Sequence, residues 1–130
     1  MKTIRNLLLG SFIMLCGTVA TYAQAPTGIW SVNGNGFSGQ MLIGIPSNGV
    51  FSGVFLGNPI LGFWNEGGQK ITFWRSVGSG PNNIQIYTGY KFPTVAGQPN
   101  GSHRIAGYFE AFSGTGATAT RNVFGWYAAQ

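Results

Sequence analysis

Charged side chains are scarce in this sequence of 130 residues. They make up 7% of the residues, against ~25% in ordinary globular domains, and the acidic residues number only two. The aromatic residues Phe, Trp and Tyr reach 15%, which excludes intrinsic disorder because disordered chains are rich in charge and poor in aromatics. With 22 glycines and hardly any Glu or Lys, the composition also excludes a long helical or coiled-coil protein.

Cysteine is almost absent, and the single Cys16 lies in an N-terminal segment that resembles a secretory signal peptide. Two basic residues precede the uncharged apolar run from Leu7 to Ala20, and the small residue Ala23 offers a cleavage point. We predict a signal peptide over 1–23 and a secreted protein, extracellular or periplasmic, whose single domain spans 24–130. The apolar run is shorter than the ~20 residues of a spanning helix, so we do not expect a membrane anchor.

Without this segment the predicted domain has five cations and two carboxylates, which gives a net charge of +3 instead of +5. The cations are scattered along the chain: Lys70, Arg75, Lys91, Arg104 and Arg121. A nucleic-acid-binding protein clusters its basic residues on one face or stripe, so we expect no nucleic-acid partner. No cysteine remains, so packing and backbone hydrogen bonds must stabilise the fold without disulfides.

Apolar residues alternate with small or polar ones at a period of two, as in β-strands with one buried face. This pattern predicts eight strands: Thr27 to Asn33, Phe37 to Pro46, Gly49 to Gly57, Ile60 to Glu66, Gln69 to Val77, Asn83 to Phe92, His103 to Phe112 and Arg121 to Ala128. Three of the separators are two-residue turn signals: Ser47-Asn48, Asn58-Pro59 and Gly67-Gly68. Links this short require antiparallel neighbours.

No stretch has helical spacing with a cap, which leaves no crossover helix for a parallel sheet. Eight antiparallel strands in sequence order can close on themselves and so remove their exposed edges. We therefore predict an all-β fold, an eight-stranded antiparallel up-and-down β-barrel in a meander. A two-sheet sandwich is the alternative, although its Greek-key links usually need longer loops. The third and fourth strands are apolar on both faces, which predicts a homo-oligomer because no helix is left to cover them.

Residues for catalysis are few. The predicted domain has one histidine, His103, two carboxylates, Glu66 and Glu110, and no cysteine, whereas acid–base or nucleophilic chemistry needs at least two positioned partners. We expect no enzyme, no metal site and no cofactor. The stretch Gly34 to Gly39 matches G-x-G-x-x-G, but a strand pattern follows it instead of a helix, so a glycine-rich hairpin is the better interpretation.

Six short motifs follow one another along nearly the whole predicted domain: Gly28-Ile29-Trp30, Gly49 to Phe55, Leu61 to Asn65, Ile71 to Arg75, Tyr87-Thr88-Gly89 and Ser113-Gly114-Thr115. In order and spacing they resemble the avidin/streptavidin family. The resemblance implies a small secreted eight-stranded barrel that binds biotin and assembles as a dimer or tetramer. The G-x-W opening is also similar to that of lipocalin-type barrels, in which a late-strand Arg stacks on the Trp.

The resemblance implies ligand-contacting aromatics at Trp74, Tyr87 and Phe109, and it puts Phe55 where the family has a ligand-binding tyrosine. Neighbouring polar groups complete the predicted ligand-binding set: Asn33, Asn83 and Gln85. The sequence departs from the family because 24–130 contains no Asp and Phe55 has no hydroxyl. Each buried polar group of biotin left unpaired costs about 1 to 3 kcal/mol, so these departures argue against tight biotin binding.

We therefore expect a secreted, non-enzymatic protein that binds biotin or another small apolar or neutral ligand at the open end of the barrel. The alternative is a structural or adhesive surface protein, or a lectin, that uses exposed aromatics and Asn/Gly loops. The long loop Pro93 to Ser102 suits either a lid or a contact tip. An outer-membrane barrel fits less well, because Ile60 to Glu66 is shorter than the ~9 to 11 residues of a tilted spanning strand.

Overall fold

The computed structural model describes residues 24–78, 83–92, 103–114 and 118–130. Eight strands form in sequence order: β1 (Gly28–Gly34), β2 (Phe37–Ile43), β3 (Val50–Phe55), β4 (Asn58–Asn65), β5 (Lys70–Ser76), β6 (Ile84–Phe92), β7 (Arg104–Ser113) and β8 (Thr120–Ala129). Each strand pairs antiparallel with the next, and β8 pairs with β1 to close the barrel. The predicted all-β, eight-stranded up-and-down barrel is confirmed. The predicted signal peptide over 1–23 and the whole loop Pro93 to Ser102 lie outside the described residues.

Of the three predicted two-residue turns, Gly67-Gly68 lies in the turn between β4 and β5, and Ser47-Asn48 is one residue early because the turn is at Asn48-Gly49. The Gly34 to Gly39 stretch is a hairpin, with Asn35 and Gly36 at φ of 50° and 80°. The predicted turn at Asn58-Pro59 is wrong, because both residues belong to β4 and pair with β3. The turn lies two residues earlier, at Leu56-Gly57, where φ is 49° and 82°. A leucine in the left-handed region carries no turn signal, which is why the sequence pattern placed the turn too late.

Alternate side chains of the strands fill the barrel interior. The buried hydrophobic residues form one cluster: Trp30, Val32, Met41, Ile43, Phe51, Phe55, Ile60, Trp64, Ile71, Phe73, Tyr87, Ile105, Phe109, Trp126 and Ala128. Glycine is needed where a large ring lies against the sheet, since a Cβ on Gly89 would stand 2.6 Å from Cζ2 of Trp126. Large inward rings facing inward glycines fill a narrow barrel without voids.

The two ends of the barrel differ. At the end that holds the start of β1, which we call the closed end, the segment Gln24–Pro26 lies against the strands, and Pro26 is fully buried. Trp30 Nε1 donates to the Pro26 carbonyl at 3.1 Å, and Lys91 Nζ donates to the Gln24 carbonyl at 2.7 Å. The opposite end, which holds the Asn35-Gly36 and Leu56-Gly57 turns, opens into a cavity, and we call it the cavity end.

Within the described part of the chain there is no helix of the length and apolar character that crossing a membrane would require.

Candidate ligand-binding cavity

A cavity of about 340 Å³ occupies the cavity end of the barrel. Strand ends and turns from both halves of the barrel form its lining: Gly34, Asn35, Phe37, Phe55, Leu56, Asn58, Arg75, Val77, Gln85, Tyr87, Phe109 and Phe124. The lining is mostly apolar, with a few polar groups. Ligand sites in proteins usually combine an apolar wall with a small number of converging polar groups.

The rings of Tyr87, Phe109 and Phe124 form the floor of the cavity, and their row continues into the core at Phe73. Phe73, Tyr87, Phe109 and Phe124 are direct cross-strand partners on β5, β6, β7 and β8. The Phe73 and Tyr87 rings stack with centroids 4.6 Å apart, and Tyr87 stacks on Phe109 at 4.7 Å. Cross-strand register therefore converts four separate sequence positions into one aromatic surface.

Trp126 of β8 holds this aromatic row from the side. Its ring meets Tyr87 edge-on, with centroids 5.8 Å apart and planes at 81°. The indole Nε1 donates to the carbonyl oxygens of Thr88 at 3.0 Å and Tyr108 at 3.2 Å. A buried indole needs such a partner, and the bonds fix the ring orientation. Trp126 is thus a rigid support for the cavity floor.

Arg75 brings a positive charge to this apolar lining. The residue is only 9% exposed and lies on the inward side of β5 together with Ile71 and Phe73. Its Nε donates to Gln85 Oε1 at 2.9 Å, and its Nη1 donates to the Phe55 carbonyl at 3.3 Å. Both acceptors are neutral. The guanidinium carbon also lies 5.0 Å from the centroid of the Phe55 ring.

Gln85 connects Arg75 to the aromatic floor. Its Oε1 accepts from Arg75 Nε and also from the Tyr87 hydroxyl at 2.6 Å. Because Arg75 and Tyr87 both donate, the Gln85 atom that faces them must be the side-chain carbonyl oxygen. The N–H groups of the Gln85 side-chain amide then remain for another acceptor. Burial raises the pKa of Tyr87 above its ordinary value, and the neighbouring Arg75 opposes this increase. Tyr87 therefore keeps its proton at neutral pH and acts as a hydrogen-bond donor.

The structure brings together four of the seven predicted ligand-binding residues. Phe55, Tyr87, Phe109 and Gln85 all line the cavity. Asn83 is exposed just before β6, where its backbone carbonyl accepts from the Val77 amide at 2.8 Å. It lies near this end of the barrel but is not among the lining residues.

The other two predicted residues lie outside the barrel interior. Trp74 is 38% exposed and packs against Phe63 on the outer face, with ring centroids 6.1 Å apart. Asn33 has the outward parity of Ile29 on β1, and its Nδ2 donates to Ser38 Oγ at 2.7 Å. The parity of each strand explains both positions, because the buried neighbours Phe73 and Val32 point inward.

Sequence reasoning overlooked the one charged residue of the cavity. Arg75 follows Ile71 and Phe73 at a period of two, so the strand pattern already puts it on the buried face. The same signal identifies Phe73, which the sequence analysis passed over in favour of its neighbour Trp74. In β5 the strand parity was a better guide to the interior than the motif resemblance.

The two carboxylate side chains of the chain lie away from the cavity. Glu110 forms an ion pair with Arg121 between β7 and β8. Glu66 lies exposed in the turn between β4 and β5, at the closed end. In the residues that the structure describes, no group of three or more His, Cys, Asp or Glu side chains could hold a metal ion.

No protein-family model matches this chain, and no curated protein sequence matches it either. What the cavity binds must therefore be inferred from its own residues.

Proposed function

We propose that this protein is a non-enzymatic binding protein whose small ligand enters the cavity end and lies against the aromatic floor. One observation supports this most strongly: an open cavity of about 340 Å³ is walled by Tyr87, Phe109 and Phe55, with Gln85 and Arg75 converging on it. This volume is at the small end of the ~300 to 1,000 Å³ typical of ligand pockets. A small ligand with a flat or compact apolar body fits such a site best.

The absence of an acid–base pair in the described lining supports binding without catalysis. The titratable residues of the described lining are Arg75 and Tyr87, and burial raises the pKa of Tyr87 further above neutral pH. Secretion and membership of the avidin/streptavidin family are part of the proposal, supported by the sequence of 1–23 and by the motif resemblance. Biotin is one candidate ligand, although Phe55 offers no hydroxyl to its polar ring.

Titration of the purified protein tests this proposal. Biotin and a panel of small aromatic and aliphatic compounds would be added while tryptophan fluorescence and isothermal calorimetry are recorded. Trp126 touches the aromatic floor, so a ligand in the cavity is expected to change its emission. No signal with any compound would contradict the proposal.

Two matched variants locate the binding site. Val77→Phe adds a ring at the cavity lining. Ser76→Phe adds the same ring one residue earlier, where the side chain is exposed on the outer face of the barrel. We expect Val77→Phe to weaken binding at least tenfold and Ser76→Phe to leave the affinity within about twofold. Equal effects of the two substitutions on affinity would show that the ligand binds outside this cavity. Glycan binding that survives Val77→Phe would favour the lectin alternative.

We also propose that the protein is a homo-oligomer. The outer faces of β2 to β6 expose large apolar side chains: Leu42, Val54, Leu61, Phe63, Trp74 and Ile84. Several are cross-strand neighbours, such as Leu42 with Val54 and Leu61 with Trp74, so the exposed apolar surface is continuous. Surfaces of this kind usually mark an interface. Light scattering should give a mass above one chain, and Phe63→Glu should lower it. A single-chain mass in both proteins would contradict oligomerisation.

A further inference from the structure

We infer that the ligand carries a carboxylate group and that this carboxylate pairs with Arg75. The inference rests on the proposed function, because it names the class of ligand that the same cavity takes. Arg75 is buried, lines the cavity and contacts only neutral acceptors in the described part of the chain. Buried charges in proteins are normally paired, because a bare charge out of water is costly.

No acidic side chain of the chain is positioned to pair with Arg75. The sequence has only two, and Glu110 is engaged by Arg121 while Glu66 lies at the opposite end of the barrel. No acidic side chain within 24–130 is therefore left to pair with Arg75, and a bound ligand is the natural source of a negative partner.

The guanidinium still has donors for such a partner. Arginine has five N–H groups, and the bonds to Gln85 and Phe55 use two of them, from Nε and Nη1. The remaining Nη1 and Nη2 hydrogens form the planar edge that binds a carboxylate through two parallel bonds. The free amide N–H groups of Gln85 lie beside the same site. Together these groups can satisfy both oxygens of one carboxylate.

The surrounding rings hold the arginine in place but do not neutralise it. Its guanidinium carbon lies 5.0 Å from the Phe55 ring centroid and 5.8 Å from that of Tyr87. Such cation–π contacts orient the group and partly offset its desolvation. They supply no formal negative charge, so the positive charge remains available to a ligand.

A carboxylate fits the charge balance better than a phosphate. One guanidinium offers a single positive charge in an otherwise apolar cavity, and a carboxylate brings a single negative charge. A phosphate monoester would bring roughly 1.5 to 2 negative charges and leave the excess buried. We therefore infer a small monocarboxylate with a flat or compact apolar body, which lies on Tyr87 and Phe109.

Paired acids and amides of the same shape test the inference directly. The probes are 2-naphthoate with 2-naphthamide, indole-3-acetate with indole-3-acetamide, and hexanoate with hexanamide, titrated into the purified protein by calorimetry. At least one acid is expected to bind tenfold or more tightly than its amide, because a charged hydrogen bond contributes more than a neutral one. Inorganic phosphate is expected not to displace the acid.

Arg75→Gln should abolish this preference, so that the ratio of acid to amide affinity falls at least tenfold, to about one. Arg104→Gln removes an exposed arginine at the closed end of β7 and serves as the matched control, with the preference retained. Circular dichroism checks that each variant folds. If Arg75→Gln does not fold, the acid-to-amide ratio in the unchanged protein decides the question, because it needs no variant.

The outcomes separate this inference from the proposed function. Equal binding of acid and amide, or an unchanged preference in Arg75→Gln, would overturn the carboxylate inference and leave small-molecule binding intact. Displacement by inorganic phosphate would overturn the choice of a carboxylate. If no acid binds, the carboxylate inference fails, and if no compound of the wider panel binds either, the proposed function fails with it.

Discussion

The closed end and the cavity end of the barrel are built from the same strands, yet their polar groups are satisfied differently. At the closed end Trp30, Lys91 and the Gln130 amide all donate to backbone carbonyls of the chain. Pro26 is fully buried there. At the cavity end the space is open, and Arg75 has only neutral acceptors.

We therefore expect the closed end to contribute mainly to the stability of the barrel and the cavity end mainly to ligand binding. At the closed end the hydrogen bonds of Trp30 and Lys91 and the burial of Pro26 add to the free energy of folding. One polar atom there is an exception, because His103 Nδ1 is buried without a hydrogen-bond partner among the described residues. An open end with an unpaired buried cation costs folding free energy, and such an arrangement is typical of binding sites. Substitutions at the two ends should therefore affect different measurements.

The largest effect is expected at the closed end, from Trp30→Ala. Trp30 is fully buried and its Nε1 donates to Pro26, so truncation should lower the free energy of unfolding by about 3 to 5 kcal/mol. Urea unfolding followed by circular dichroism measures this loss. Trp74→Ala on the outer face is the control, with an expected loss of about 1 kcal/mol or less. Equal losses would mean that the closed end does not anchor the barrel.

Tyr87→Phe tests the network of the cavity end. Gln85 Oε1 loses one of its two donors, so the free energy of unfolding should fall by about 1 kcal/mol at neutral pH. Burial raises the pKa of Tyr87, so above pH 10 the unfolded chain ionises first and the unchanged protein loses stability as the pH rises.

Urea unfolding of both proteins at pH 9 and pH 11 measures the difference. The decrease between the two pH values should be larger in the unchanged protein than in Tyr87→Phe, because the variant has no phenol to ionise at that site. The other tyrosines are common to both proteins and cancel in the comparison. Equal decreases would show that the fold does not raise the pKa of Tyr87.

Leu56→Asn tests whether the strained turn at Leu56 is compensated by the role of the Leu56 side chain in the cavity lining. Four described non-glycine residues have nearly the same positive φ, between 49° and 51°: Asn35, Asn48, Leu56 and Gln69. Leu56 is the apolar one among them, and its side chain lines the cavity. A left-handed conformation costs most residues roughly 1 to 2 kcal/mol, while Asn tolerates it. Relief of strain should offset the lost packing of Leu56 to within about 1 kcal/mol, and ligand affinity should fall several-fold.

Asn48→Leu at the exposed turn of the closed end is the matched reverse change. It puts a leucine in the left-handed conformation at an exposed turn, where the new side chain gains no packing. The free energy of unfolding should therefore fall by about 1 kcal/mol. Thermal and urea unfolding measure both variants. A stability gain above about 1 kcal/mol in Leu56→Asn with unchanged ligand affinity would show that Leu56 has no part in the cavity.

The smallest effect is expected from Glu110→Gln. Glu110 pairs with Arg121 at the surface, so the substitution should lower the free energy of unfolding by less than about 1 kcal/mol. Affinity for the carboxylate probes should stay within about twofold, as measured by calorimetry. A gain of tenfold would show that Glu110 already acts on Arg75 from outside the cavity.

The sequence by itself determined the fold class and nearly all the strand positions. The period-two alternation and the Asn-Gly and Gly-Gly turns are local signals, and short links force antiparallel pairing. Eight strands without a helix then leave closure as the way to remove both edges. Among the described turns, the one at Leu56-Gly57 was predicted furthest from its position, because a leucine with positive φ carries no local turn signal.

The site depended on contacts that only the tertiary structure decides. Tyr87, Phe109, Phe55 and Gln85 were predictable because they are inward on their strands, whereas Trp74 and Asn33 fall on the outer face. That Arg75 lacks a carboxylate partner follows from where β7 and the β4–β5 turn hold Glu110 and Glu66. Which side chains of a strand point inward follows from its local period-two pattern. Whether the buried charge of Arg75 finds a partner depends on residues far apart in sequence that the closed barrel brings together.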